Sequence, residues 1–364
     1  MNICLIGGNL TALALAKSLI NKKIKVFLHY EARKKSLLQS RTIGISKNNL
    51  NFLNKKIIKI KNNMIWDIEK IEIYNEKMKN EMILDFEEKG NKLFSIFKNN
   101  MIYKILDEDL NKNKLYKKIL IKNNNFYKKI LKDKNYDLII NCDDKNNISK
   151  SFFYKRINKN YNSYAYTTII KHKRIINKKA VQIFTKKGPI AFLPISSSET
   201  SIVFSKVNEK ESMSSNEIKN LIKEYKNYKI KNFSKVGKFP LNFSAPRNYY
   251  YKNILAFGDA LHKIHPLAGQ GFNMTLRDIR ILSEIIQSRI ELGLELNQSI
   301  YKDFENKTKH LNFIFSSGVD FIYEFFIFDS KYKNNFSNKL LKYIGKNKFL
   351  NQLALKFANR GLII

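Results

Sequence analysis

Cysteine is nearly absent, with Cys4 and Cys142 the only two in 364 residues. Each sits inside an apolar, strand-like run, which speaks against a disulfide framework or a thiolate metal site and for a reducing, cytoplasmic setting. Long apolar runs are missing as well. None approaches the ~18 residues that span a bilayer, and Met1 to Ala16 lacks both the positive leader and the unbroken apolar stretch of a signal peptide. Acidic residues are few, 31 against 67 Lys and Arg, and the formal net charge is +36. Such charge attracts nucleic acid, acidic membrane surfaces or phosphate-bearing ligands. Yet lysine is scattered through every segment, so a Lys/Asn/Ile-heavy composition accounts for most of it. With no basic helix or recognised binding module, a nucleic-acid partner is not expected.

What is present sorts into two β patterns. Asn2-Ile-Cys-Leu-Ile6 meets Gly7-Gly8, then Leu10, Leu13, Ala14, Ala16, Leu19 and Ile20 recur at helical spacing before a strand-like Ile24 to Leu28. Strand, tight turn, helix, strand is the opening unit of a dinucleotide-binding fold. From Ile68 to Glu88 the period becomes two, which predicts antiparallel strands. A helix is expected over 99–110 and short strands over 126–131 and 136–142. Antiparallel strands follow over 164–170, 180–185, 190–195 and 201–207, then a helix over 214–226 and strands up to Leu241. One more buried strand, 253–257, leads through a Gly/Pro/His-rich loop into a long helix. Its Leu276, Ile279, Leu282, Ile285, Ile286 and Ile290 share a face. There is no repeat and no Pro-rich or Ser/Gly linker. The interleaved patterns imply discontinuous lobes: a Rossmann-type α/β lobe from 1–64, 98–160 and 246–298, an inserted, mainly antiparallel lobe from 65–97 and 161–245, and a helical C-terminus from 299–364.

Two segments carry chemistry. In Gly7-Gly8-Asn9-Leu-Thr-Ala12, Asn9 stands where the dinucleotide fingerprint has its second glycine, and Ala12 where it has a third small residue. Asn is able to visit left-handed backbone, and the helix start still offers amides to a phosphate. Glu31, behind an atypical His29-Tyr30, is the candidate grip for an adenosine ribose. By itself this segment reads equally as a dinucleotide site or an ordinary strand–helix turn. More specific is Gly258-Asp259-Ala-Leu-His262-Lys-Ile-His265-Pro266-Leu-Ala-Gly269-Gln270-Gly271-Phe-Asn273. It closes a buried strand and opens a helix. Asp259 can accept hydrogen bonds from a sugar-type hydroxyl, Pro266 fixes a turn, and Gly269 and Gly271 let backbone approach a flat ring. The amides at the helix start can stabilise negative charge on that ring. His262 and His265 lack acidic or thiol partners at ligand spacing, so no metal site is expected.

The run Phe257 to Leu282 resembles the second flavin signature of the group-A FAD monooxygenases, and its "IHPLAGQGFN" and "LRD" wording is similar to that of the ubiquinone-biosynthesis hydroxylases. Arg41-Thr-Ile-Gly-Ile45 resembles the family's early Arg motif, which meets FAD. Trp66 to Ile71, Gln182 to Thr185 and Gly188 to Pro194 resemble signatures of the substrate lobe. The resemblance implies a p-hydroxybenzoate-hydroxylase-like fold, and FAD held by Gly7, Gly8, Asn9, Ala12, Glu31, Arg41, Asp143, Gly258, Asp259, Pro266, Gly269, Gln270, Gly271 and Asn273. It further implies NAD(P)H as reductant, and transfer of one atom of O₂ to the ring of a polyprenylated phenol or quinol. No motif marks a catalytic base.

The sequence also departs from that family. Its middle motif keeps only Asp143 within Asn141-Cys142-Asp143-Asp144, with Asn147 and Lys150 further on, and Asn100 stands where an Arg near the flavin is usual. Asp144 is expected to bring a side chain and a negative charge to where phosphates pass. A non-catalytic or weakly flavin-binding subunit of a ubiquinone-synthesis assembly is therefore the alternative, and a flavin reductase or halogenase on the same scaffold a third reading. The aromatic stretch Phe313 to Phe328, flanked by Lys331, Lys333, Lys339 and Lys342, reads either as core-facing helix or as an apolar ledge. The ledge would make the protein peripheral on the inner face of the cytoplasmic membrane.

Overall fold

The computed structural model describes residues 1–32, 40–76, 81–87, 92–207, 213–226, 228–264 and 270–331. A six-stranded sheet carries the N-terminus. Across it run Tyr250–Tyr251, Ile254–Ala256, Leu138–Asn141, Asn2–Ile6, Lys25–Glu31 and Tyr116–Ile121. All pairs are parallel except the hairpin at the first edge. Its central strands are unbroken apolar runs because both faces are covered. The helix Leu10–Ile20 buries every residue but Lys17. Its alanines let it sit close to the sheet and against the helices Asn99–Asn111 and Gly271–Glu291. A buried contact between the Ser18 and Ser283 hydroxyls at 2.9 Å fastens the first of these helices to the last.

The second sheet is built on the 17-residue strand Arg156–His172. Its order is Ile230–Phe233, Arg156–His172, Glu199–Val207, Gly188–Pro194, Lys179–Thr185, Lys70–Asn75 and Glu81–Glu87, and Gly237–Pro246 also pairs with the long strand. Only Lys179–Thr185 beside Lys70–Asn75 is parallel. Strand alternation gives one face Tyr166, Ile170, Ile183, Phe192, Ile202 and Phe204, which pack on Ile218, Leu221 and Ile222 of the helix Ser215–Tyr225. The other face turns toward the first sheet. Between the two lies a three-stranded sheet of Thr42–Ser46, Phe94–Lys98 and Trp66–Ile68, from which Thr42 donates to the Ser201 hydroxyl at 2.9 Å.

Two local expectations are corrected. Residues 126–131 are helix, within Asn124–Lys132, because Asn123 caps the amide of Phe126 and Tyr127 and Ile130 fall on one buried face. The lysine-rich 112–118 region contributes an edge strand, Tyr116–Ile121, to the parallel sheet. The helix Ser299–Lys331 is part of the main core, since Ile300, Tyr301 and Phe304 have no exposed surface.

Candidate functional site

The carboxyl ends of Asn2–Ile6, Leu138–Asn141 and Ile254–Ala256 bring three sequence-distant turns together, as parallel sheets do. Gly7 has φ +133°, and a Cβ placed there would lie 3.4 Å from Asp143. Gly8 is packed against Tyr30. Gly258 has φ +59°, and a Cβ there would come within 2.3 Å of the Thr11 methyl. The tight turn and the close approach therefore both require glycine.

Asn9 plays a different part from the one its motif position suggests. Its backbone is extended, φ −94° and ψ 172°, with no left-handed excursion. Its Oδ1 accepts from the Ala12 amide at 2.9 Å, which makes Asn9 the N-cap of the first helix. Its Nδ2 donates to the Cys142 carbonyl at 2.8 Å and reaches Asp259 at 3.5 Å. Asp259 itself is exposed.

The altered middle motif is internally satisfied. Buried Asn141 donates to the Ser149 hydroxyl at 2.8 Å and accepts from Asn146 at 2.7 Å, while Asn146 caps the short helix Asn147–Phe152. Asp143 accepts from the Lys145 amide at 2.9 Å. Asp144 is ion-paired with Lys263. The negative charge that Asp144 brings is thus paired, because the loop after Gly258 supplies the counter-charge. No sequence signal pairs these two residues.

The second half of the site is the start of the helix Gly271–Glu291. Gln270 precedes it without a side-chain cap, and a Cβ added at Gly271 would meet nothing within 4 Å. Among the described residues, then, no Gln270 side-chain cap covers the start of this 21-residue helix, and a side chain at Gly271 would have room. The Asn273 Oδ1 accepts from the Ser46 amide and from Asn49, both at 3.0 Å, and its Nδ2 donates to the Gly44 carbonyl at 2.9 Å. Asn273 thereby fixes the helix start against the strand Thr42–Ser46. Arg41 is exposed at the entry to that strand, and its carbonyl accepts from Asn99 at 3.0 Å. The neighbouring Asn100 has a buried Oδ1 without a hydrogen-bond partner among the described residues. Glu31 ends the strand Lys25–Glu31 and accepts from the Tyr127 hydroxyl. His265, Pro266 and Gly269 lie outside the described residues.

Behind the helix start is a buried polar cluster. His262 Nε2 lies 2.9 Å from Asp278, Arg277 donates to Asp278 at 3.1 Å, and Asn312 accepts from Arg277. Burial pushes the Asp278 carboxyl up, but Arg277 and His262 outweigh it and hold the group below the ordinary range. His262 is therefore a packing residue. Among the described residues no group of His, Cys, Asp and Glu is placed to hold a metal ion.

The residues fit a long ligand with a flat, anion-prone head. An uncapped helix start with room at Gly271, the orphan acceptor of Asn100 and the exposed Asp259 suit the head and its hydroxylated arm. The phosphate end is narrower, since the Asn9 side chain already occupies the first helix's start.

Known proteins agree with this arrangement. The sequence model of the squalene epoxidase family matches residues 135–358, more than half of the chain. The chain belongs to the squalene epoxidase family, a family of FAD monooxygenases. Among curated relatives, the mitochondrial ubiquinone biosynthesis monooxygenase COQ6 of Dictyostelium discoideum is 32% identical over 121 residues, covering 32% of this chain and 24% of that protein. The 3-demethoxyubiquinol 3-hydroxylase of Escherichia coli K12 is 28% identical over 190 residues, or 50% of this chain and 45% of that enzyme. The matched stretches thus span less than half of either relative. The p-nitrophenol 4-monooxygenase PnpA of Pseudomonas putida superimposes with a TM-score of 0.75 over 98% of both chains at 10% identity. An HpxO variant of Klebsiella pneumoniae complexed with FAD gives 0.75 over 99% of both at 9% identity. These likenesses show the fold, that of the p-hydroxybenzoate-hydroxylase-like monooxygenases.

Proposed function

We propose that the chain is an FAD-dependent monooxygenase that hydroxylates the aromatic ring of a polyprenylated ubiquinone precursor, with NAD(P)H as reductant. The observation that carries this reading is the start of the helix Gly271–Glu291, left without a Gln270 side-chain cap and with room at Gly271, beside the meeting of Asn9 and Asp259 at the sheet's carboxyl end. The relatives' names supply the substrate class. When bound, FAD supplies the activation of O₂ that no protein side chain can perform. The chain's own residues do the rest. The amides after Gln270 hold negative charge on the ring, Asp259 accepts from hydroxyls of the ribityl arm, and Glu31 does the same for the ribose. The substrate lies against the second sheet's inner face, which shields the ring from water.

The substrate is membrane-borne in this reading, and the protein meets it as a peripheral protein on the cytoplasmic face, alone or within a ubiquinone-synthesis assembly. The exposed Phe313, Ile314 and Phe321 on the C-terminal helix support an apolar contact there. No helix among the described residues is long and apolar enough to cross a membrane.

Purified protein mixed with excess FAD should retain a flavin absorption spectrum, and Asp259→Ala should lose it while keeping its melting temperature. The alternative, a non-catalytic subunit, is favoured by the Asn9 side chain in the phosphate notch. Wild-type protein that retains no flavin even at high FAD concentration decides for it.

A further inference from the structure

The loop of residues 173–178 follows the long strand Arg156–His172, and hydrogen bonds tie it to its neighbours at several points. Lys173 donates from its amide to the Lys229 carbonyl at 3.1 Å, and Ile175 to the Ser197 carbonyl at 2.9 Å. Arg174 Nε reaches the Ser197 hydroxyl at 3.1 Å. Buried Asn177 donates to the Ser196 carbonyl at 2.8 Å and to Thr200 at 3.0 Å, and its own carbonyl accepts from Trp66 at 2.6 Å. On this tied base Ile176 is 96% exposed and Ile175 44% exposed. A branched apolar side chain held almost wholly in water, between the bonded Ile175 and Asn177, is not explained by the core.

Around the two isoleucines stand exposed Lys171, Lys173, Arg174, Lys178 and Lys179, with Lys229 and Lys231 on the adjoining chain. Glu69 pairs with Lys178, Glu72 with Lys179 and, at 3.7 Å, Glu199 with Lys171. Among the described residues no carboxylate pairs with Lys173, Arg174, Lys229 or Lys231. The tip is apolar and its collar is cationic. That order matches the acyl boundary and the phosphate level of a bilayer, where cations stay at the headgroups while apolar side chains pass below.

We propose that residues 173–176 form a membrane-docking finger that inserts Ile175 and Ile176 into the interface of an anionic bilayer. Ile169, seven residues before Ile176, is paired with Ser201, which accepts from Thr42 beside Arg41. Seven residues of chain span at most about 25 Å, so docking places the bilayer within about that distance of the Ile169–Ser201 pair. The delivery of a lipid-tailed substrate rests on the function proposed above; the docking itself does not.

The test uses the full chain and vesicles of phosphatidylcholine with or without phosphatidylglycerol. Co-sedimentation should occur with the anionic vesicles and fall roughly tenfold or more in affinity for the Ile175→Ser/Ile176→Ser double variant. Its melting temperature should stay unchanged, because neither side chain is buried. Ile176→Cys, labelled with a polarity-sensitive fluorophore that the buried Cys4 and Cys142 do not take up, should shift to the blue on adding anionic vesicles. Three results overturn the proposal. Binding is unaffected by the serine pair but abolished by Lys173→Glu/Arg174→Glu, which means charge alone. Binding is lost only in Phe313→Ser/Phe321→Ser, which places the contact on the C-terminal helix. The label shifts without vesicles as the protein's mass doubles, which makes the tip a contact between copies. The flavin spectrum, measured separately, reports on the enzymatic reading and is independent of all three.

Discussion

Asn9 caps the first helix, and in the function proposed above the same side chain would crowd the phosphates of FAD. The two effects can be separated by substitution. Asn9→Ala removes the cap and should cost about 1 kcal/mol of stability, whereas Asn9→Gly should cost only a few tenths. Only the glycine also gives a phosphate the close backbone approach of the usual motif, so Asn9→Gly should tighten FAD by about tenfold. Urea unfolding of the apo-protein and a flavin titration measure the two quantities, and an affinity gain confined to the alanine variant would sink the idea. Gly258 is a second residue whose role is steric. Gly258→Ala places a Cβ 2.3 Å from the Thr11 methyl on a backbone with φ +59°, and should cost at least about 2 kcal/mol. Thr11→Ser, which deletes that methyl, should recover part of the loss when combined with it. Full additivity of the two substitutions in denaturant melts would show that the clash is relieved elsewhere.

At the level of elements, the strand Lys25–Glu31 carries a titration built into the fold. His29 is buried beside Phe126 and Tyr136, with Nε2 3.1 Å from the Tyr136 hydroxyl. Burial lowers its pKa from the ordinary 6.5 to about 4. Between those values the unfolded chain binds a proton that the folded chain refuses. Stability is therefore fully present above pH 6.5 and is lost as the pH falls to about 4, by about 3 kcal/mol in all. His29→Gln should flatten that part of the stability–pH curve, and an unchanged slope would assign it to other groups. The helix Gly271–Glu291 shows the converse arrangement, a start left uncapped while Asn273 anchors it to the strand Thr42–Ser46. Asn273→Ala should thus weaken flavin retention by loosening the helix start from Gly44 and Ser46.

On the scale of the whole molecule, the C-terminal helix is what closes the nucleotide-binding sheet. The Tyr301 hydroxyl accepts from the Ile139 amide at 2.8 Å and faces the Ile139 and Asn253 carbonyls, in the middle of the parallel sheet. Tyr301→Phe leaves a buried amide without its partner and should cost about 1–3 kcal/mol. Thermal unfolding should show one transition for the whole chain in both proteins, shifted down in the variant. Toward its other end the same helix holds the second sheet, through Lys159 with Asp320 and Glu324 and through the Tyr161 hydroxyl donating to Asp320 at 2.7 Å. It joins the three-stranded sheet in tying the two larger sheets together.

The sequence alone determined the parts whose signals are local. Asn2 to Ile20 declared a strand, a glycine turn and a helix, and the string from Gly258 to Asn273 declared the family the chain resembles. The alternating runs between Tyr164 and Val207 declared antiparallel strands, because a half-buried sheet writes a period of two into its strands. Residues 126–131 were misread because short apolar runs fit both periods, and only the capping of Phe126 by Asn123 selects the helix. The tertiary structure alone decided who meets whom across the chain. Asp144 finds its counter-charge in Lys263, 119 residues away. Asn273 is bound to Gly44, 229 residues away, and Asn9 faces Asp259 across 250. Such pairs leave no periodic trace, since they depend on which strands the fold sets side by side and not on what each strand is made of.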